Sequence, residues 1–251
     1  MADKLKEVKG EQMKNIEEFT NKIFNADSYE FIKQIPDKSV DLIIIDPPYE
    51  IGALSGQGIK SIRGVFDEII EKNLDVGLDH KIFQELFRIM KEPNIYIWCN
   101  KKMIPNFFKH FVEENDCLFD IICWHKTNAM PLCGGTYTPD TEYCLYFKKN
   151  RKLNTNYETA KTYYNIPINI RDKKLYEHPT IKPLRIIKNL IINSSNENDI
   201  VLDCFLGSGT TAIACKELNR KYIGIEIDEE YYKIAQDRLN GITASGQIGM
   251  F

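Results

Sequence analysis

Two short stretches of this chain carry residue types whose spacing could do chemistry. The first is Asp46-Pro47-Pro48-Tyr49, which closes the apolar run VDLIII. Proline fixes φ and has no N–H to donate, so its carbonyl is an acceptor on a stiff support. A carboxylate beside such a carbonyl accepts both hydrogens of an amino group, and Tyr49 adds a flat face. That edge suits a planar exocyclic amine on a nucleobase; the competing reading is a strand-ending turn with Asp46 as a helix cap. The second stretch is FLGSGTT, Phe205 to Thr211, which follows the apolar run DIVLDC. Gly207 and Gly209 permit φ > 0 and close approach of a ligand. Thr210 and Thr211 open a helix whose exposed N–H groups suit an anion. Further on, KYIGIEID delivers Glu226, a carboxylate placed to accept the hydroxyl hydrogens of a ribose. A phosphate-binding loop is disfavoured, because no Lys-Ser/Thr follows the last glycine. A dinucleotide site lacks its third glycine, since Ala212 stands there. A third reading is a nucleoside cofactor without a pyrophosphate, S-adenosylmethionine, and a fourth is a tight turn with no ligand.

These stretches need a scaffold, and the sequence alternates short apolar runs with amphipathic ones. Strands are expected at 22–25, 40–45, 94–99, 118–124, 142–147, 200–203 and 222–225. Helices are expected at 28–34, 80–90, 105–114, 183–193, 210–218 and 229–239. That rhythm implies βα units and a mainly parallel sheet. VDLIII and DIVLDCF are apolar on both faces, as in strands covered by helices on both sides. Three segments break the pattern: 50–79, with glycines at 52, 56, 58, 64 and 77; the polar 150–177; and the tail 241–251.

With 251 residues and 43% hydrophobic content, one domain with a substantial core is expected. A net charge of −3 argues against a general polyanion-coating protein but allows a local basic patch. Candidates are Lys148, Lys149, Arg151 and Lys152, and Arg171, Lys173 and Lys174. Seven cysteines without a Cys-x-x-Cys pair read as reduced core thiols, and the four histidines show no metal-ligand spacing with them. The opening MADKLKEVKGEQ is charged and lacks the apolar core of a secretion signal. No apolar run reaches membrane-spanning length. A soluble, cytoplasmic protein without a metal is expected.

The order of the motifs is more specific than either alone. DPPY at 46–49 followed late by FLGSG at 205–209 resembles the β-class amino-methylating DNA methyltransferases. Supporting matches are ICWHKTN at 122–128, TEYCLYFKK at 141–149, HPTIKP at 178–183 and GIEIDEEYYKIAQDRL at 224–239. The resemblance runs from about Phe24 to Leu239. It implies an α/β, Rossmann-like fold: a doubly wound, mostly parallel seven-stranded sheet with a small target-recognition insertion. An N-terminal extension (1–21), a methyltransferase domain (22–240) with a mobile loop at 50–79 and a short recognition region at 150–177, and a flexible tail (241–251) follow.

By that resemblance Asp46 and the Pro47 carbonyl bind the target amine, Pro48 stiffens the turn, and Tyr49 stacks on the extruded base. The cofactor is S-adenosylmethionine. Asp27 would accept from its adenine amine, with the backbone N–H of Ser28 reading a ring nitrogen. Thr180 and Lys182 would approach its carboxylate. Asp203, Phe205, Gly207, Ser208, Gly209, Thr210 and Glu226 complete the cofactor site. Lys60, Arg63, Lys126, Asn128, Lys149 and Arg151 are candidate contacts to double-stranded DNA. Asp at the head of the tetrapeptide favours adenine N6, and cytosine N4 is the runner-up. An inactive nucleic-acid-binding relative or an RNA methyltransferase is the further alternative; the intact DPPY and FLGSG argue against decay, and nothing resembles an RNA-binding module. The short recognition region suits simple recognition, a contribution from the 50–79 loop, or a second subunit, so a monomer or homodimer is expected. The last residues, QIGMF (Gln247 to Phe251), resemble the pentapeptide by which bacterial proteins dock on the replication sliding clamp.

Overall fold

The computed structural model describes residues 15–49, 78–129, 137–176 and 180–243. Among them eight strands form one sheet: β1 (Lys22–Asn25), β2 (Leu42–Ile45), β3 (Asn94–Cys99), β4 (Leu118–His125), β5 (Thr141–Lys148), β6 (Tyr163–Asn165), β7 (Ile200–Asp203) and β8 (Lys221–Glu226). Their order across the sheet is β1-β8-β7-β2-β3-β5-β4-β6, and only β5 runs against the others. The helices are α1 (Ser28–Phe31), α2 (Ile82–Ile89), α3 (Ile104–Phe108), α4 (Ile170–Leu175), α5 (Leu184–Ser194), α6 (Thr210–Glu217) and α7 (Glu229–Leu239). The doubly wound, mostly parallel architecture is as expected. Two helices are shorter than their patterns suggest: α1 tightens into a 3-10 turn at Ile32–Gln34, and α3 widens into a π turn at Lys109–Glu113.

Strand β2 shows why its sequence is apolar throughout. Successive side chains point to opposite faces. Leu42 and Ile44 pack with Tyr96, Trp98 and the Ile186, Ile187 and Leu190 face of α5. Ile43 and Ile45 pack with Phe83 and Leu86 of α2 and with Phe107 and Phe111. The core is therefore two layers, one on each side of the sheet.

The eighth strand corrects the expected seven. Tyr163–Asn165 pairs in parallel with Cys123–His125, at the end of β4. Trp124 Nε1 donates to the Ile166 carbonyl at 2.8 Å, and Asn128 Oδ1 accepts from the Ile168 N–H at 2.6 Å. The strand is made by these partners, since three residues carry too little alternation to announce it. Before β1, Phe19 is buried in the core, and Glu17 pairs with Lys221 at 2.7 Å. Thr243 is buried as well, so the body extends past 240. Among the described residues no helix is long and apolar enough to cross a membrane.

At the end of the sheet away from the motifs, Asn94 ties three elements together. Its Nδ2 donates to the carbonyls of Asp41 (2.7 Å) and Ser194 (2.9 Å), and its Oδ1 accepts from Tyr146 Oη at 2.9 Å. Asn94 is fully buried. Asn94→Ala removes the donor to the Ser194 carbonyl and the acceptor of the Tyr146 hydroxyl, while the Asp41 carbonyl keeps Arg151, and the loss costs on the order of 2 kcal/mol. Thermal or urea unfolding of the variant checks this; a loss below about 1 kcal/mol would show that the network relaxes.

Candidate active site

Because β5 alone is reversed, one edge of the sheet collects the carboxyl ends of seven strands and the start of β5. The chain leaves β2 toward β3 on one side and β7 toward β8 on the other. The β2/β7 boundary is thus the switch point, where open α/β sheets place their ligands. A cleft of about 430 Å³ opens there. Asp46 to Tyr49 from β2, Asp203 to Ser208 from β7, Glu226 from β8, and Asp27 and Ser28 from β1 all line it.

At the glycine turn, Gly207 and Gly209 have φ of 52° and 81°. At Gly209 a Cβ would stand 3.0 Å from the Ala235 Cβ and 3.2 Å from its Cα, so the turn is packed directly on α7. Glu226 Oε2 accepts from the Gly207 N–H at 2.7 Å and Oε1 from the Asp228 N–H at 2.9 Å. Burial raises the Glu226 pKa against these two hydrogen bonds. Asp203 Oδ2 accepts from Thr211 Oγ1 at 2.6 Å and Oδ1 from the Phe205 N–H at 3.1 Å. Burial nevertheless pushes Asp203 up to about 7. The Ser28 hydroxyl donates to the Cys204 carbonyl, joining the ends of β1 and β7. Asp27 caps α1, accepting from the Tyr29 N–H at 2.8 Å, while lining the cleft.

In the half of the cleft that carries Asp46 to Tyr49, Asp46 is held from two sides. Tyr49 Oη donates to its Oδ1 at 2.9 Å, and Lys182 Nζ lies 2.7 Å from Oδ2. Lys182 also reaches Glu142 Oε2 at 2.9 Å and Tyr49 Oη at 3.3 Å. Its Nζ is 5.1 Å from the Trp98 ring centroid and 5.4 Å from that of Tyr49, within cation–π range. Burial works against the Lys182 ammonium, yet Asp46 and Glu142 hold its pKa above the ordinary lysine range. Burial likewise opposes ionisation of Glu142, and Lys182 and Lys126 reverse this and hold it at about 2. Burial, with the Asp46 charge, raises the Tyr49 phenol far above its usual value. The Cys99 thiol is pushed up to about 12 by burial and by Asp46, so it is no nucleophile.

The cleft therefore unites Asp46 to Tyr49 with Asp27, Ser28, Thr180, Lys182, Asp203, Phe205, Gly207, Ser208, Thr210 and Glu226; Gly209 supports it from behind. Lys182, expected at a cofactor carboxylate, lines the cleft and is paired with Asp46 and Glu142. The expected DNA contacts are scattered. Lys126 sits just past β4 at the cleft edge, with its Nζ 2.5 Å from Glu142 Oε1. Asn128 clips the backbone of Ile168. Lys149 and Arg151 follow the end of β5 and lie at the opposite edge of the sheet, bonded to the carbonyls of Asn115 and Asp41. The structure does not bring those two together with the cleft. Lys60, Arg63 and the QIGMF tail lie outside the described residues. Sequence reading missed Glu142, Trp98 and Arg238. Arg238 is buried on α7 and donates to the Ser208 carbonyl, with Tyr176 stacked 4.7 Å away.

Comparison with known proteins agrees with this arrangement. The family described as DNA methylase, N6_N4_Mtase, matches residues 40–237. Type II methyltransferase M2.LlaDCHI of Lactococcus lactis subsp. cremoris is 34% identical over 87% of this chain and 88% of its own. The crystal structure of the M1.HpyAVI–SAM complex is 31% identical, with a TM-score of 0.58, covering 87% of this chain and 99% of that one. PvuII DNA methyltransferase, described as cytosine-N4-specific, shares the fold with a TM-score of 0.64 at 18% identity, over 86% and 85% of the two chains. With the DPPY edge and the glycine turn facing one cleft, and with the family match spanning both, this chain belongs to the N6/N4 DNA methylase family.

Proposed function

We propose that this protein transfers a methyl group from S-adenosylmethionine to the N6 amine of adenine at a specific site in double-stranded DNA, as the modification enzyme of a type II system. The observation that supports it most is the meeting of Asp46 and Pro47 with the glycine turn and Glu226 across the β2/β7 switch point. The residues fit the cofactor. A carboxylate already oriented by two backbone amides suits a ribose diol. A turn with positive φ and no Cβ at Gly207, in the cleft wall, allows close approach. Asp27 and Ser28 stand at the end of β1 for the adenine, and Asp203, Phe205, Ser208, Thr210 and Thr180 line the remainder.

When bound, S-adenosylmethionine supplies an electrophilic methyl group. The protein's own part is positioning and electrostatics. Asp46 and the Pro47 carbonyl accept the two amine hydrogens and draw the nitrogen lone pair out of conjugation with the ring. The two prolines hold that edge still. Tyr49 covers a face of the base, which must leave the duplex stack to arrive there. No covalent intermediate is required. Asp at the head of the tetrapeptide supports adenine over cytosine by family resemblance.

Expression in a host without DNA methylation, followed by single-molecule sequencing of its genome, tests the reading. N6-methyladenine at one recurring short sequence is the expected result. N4-methylcytosine would replace adenine as the target, and an unmodified genome with soluble protein present would overturn the proposed activity.

A further inference from the structure

Both oxygens of Asp46 are engaged: Oδ1 takes the Tyr49 hydroxyl and Oδ2 takes Lys182. An incoming amine hydrogen directed at Oδ2 competes there with the ammonium. The Lys182 side chain is only 10% exposed, so it cannot simply be released into water. A buried ammonium left without a counter-ion would oppose base entry strongly. Glu142 supplies what is missing. Its Oε1 is held by Lys126 at 2.5 Å, and its buried Oε2 faces Lys182 Nζ at 2.9 Å. Lys182 thus bridges the two carboxylates, with Tyr49 Oη 3.3 Å away. A second buried carboxylate thus stays beside the ammonium when Asp46 Oδ2 is engaged elsewhere.

We propose that Glu142 is a positioning residue, the second seat of Lys182. This rests on the reading that Asp46 binds the target amine. When the base enters, the ammonium re-aims from Asp46 Oδ2 to Glu142 Oε2, and it returns when the methylated base leaves. The two acceptor atoms lie at 2.7 and 2.9 Å from the same nitrogen, so a small tilt of the side-chain end suffices. Asp46, Glu142, Lys126 and Lys182 sum to zero charge before and after, and no covalent bond changes.

The test is a cycle of Glu142→Gln, Lys182→Met and the double variant. Methyl transfer from tritiated S-adenosylmethionine to unmethylated bacterial DNA is followed, with cofactor binding measured calorimetrically. Glu142→Gln is expected to lose about tenfold or more in kcat/KM for DNA, with the cofactor Kd within about twofold. Lys182→Met is expected to keep at least about a hundredth of the wild-type rate. The double variant should equal Lys182→Met within about twofold, because without the ammonium the second seat has no use. A double variant slower than Lys182→Met by the factor that separates Glu142→Gln from wild type would overturn the proposal. So would wild-type behaviour of Glu142→Gln, or complete inactivity of Lys182→Met, since Lys182 would then do more than hold Asp46 at rest. If Glu142→Gln alone does not fold, the comparison of the double variant with Lys182→Met decides. Transfer retained by Asp46→Ala would instead refute the site reading beneath it, which keeps the two failures apart.

Discussion

Asp46→Ala is expected to abolish methyl transfer and to leave S-adenosylmethionine binding intact. The carboxylate is the amine's anchor in the proposed reaction, and loss of such an electrostatic partner is worth about 4 kcal/mol or more, a thousandfold in rate. The cofactor residues lie across the switch point on β7, β8 and β1, so titration with cofactor should give a Kd within about threefold of wild type. The fold tolerates the change because Lys182 keeps Glu142 as a counter-ion. Single-turnover transfer to unmethylated DNA provides the rate. A variant that still transfers at more than about a tenth of the wild-type rate would show that Asp46 does not hold the amine.

Gly207→Trp is expected to have the complementary effect, weakening cofactor binding by about a hundredfold or more in Kd. Gly207 sits at φ 52° in the cleft wall, and its N–H fixes Glu226 at 2.7 Å. An indole there strains the backbone and fills the space meant for the ligand. Gly209 is glycine for another reason, the packing of the turn on Ala235, so substitution there should unfold rather than merely block. Calorimetric titration of folded Gly207→Trp with S-adenosylmethionine separates the two. A normal binding curve would refute the assignment of the cleft to the cofactor.

The sequence was most legible where one strand or turn contains its own reason. VDLIII and DIVLDCF are apolar on both faces because both faces are covered, and their last residues must therefore reach the sheet edge. Glycines at 207 and 209 announce a turn that no other residue makes as easily. It was least legible where a role is conferred by a residue far along the chain. Glu142 opens an ordinary-looking strand, and only the reversal of β5 brings it to Lys182. Lys182 itself has a suggestive motif around it, but a motif does not say which of two anions an ammonium will choose. Arg238 reads as one more charge on an amphipathic helix until the glycine turn is folded against it. Tyr163–Asn165 becomes a strand only because β4 offers it an edge.

The sheet order also governs how such a chain is made. β1, near the start, is registered against β8, with Lys22 opposite Ile223, and β2 waits for β7, with Leu42 opposite Val201. During synthesis the first strand has no neighbour until nearly the whole polypeptide has left the ribosome. Pairings so distant in sequence carry a large loop-closure entropy and form late. The half that would grip the base and the half that would grip its methyl donor therefore mature in a single closing event. A nascent or truncated chain that stops short of β7 carries the DPPY tetrapeptide on a strand with one bare edge, and so carries no competent site at all.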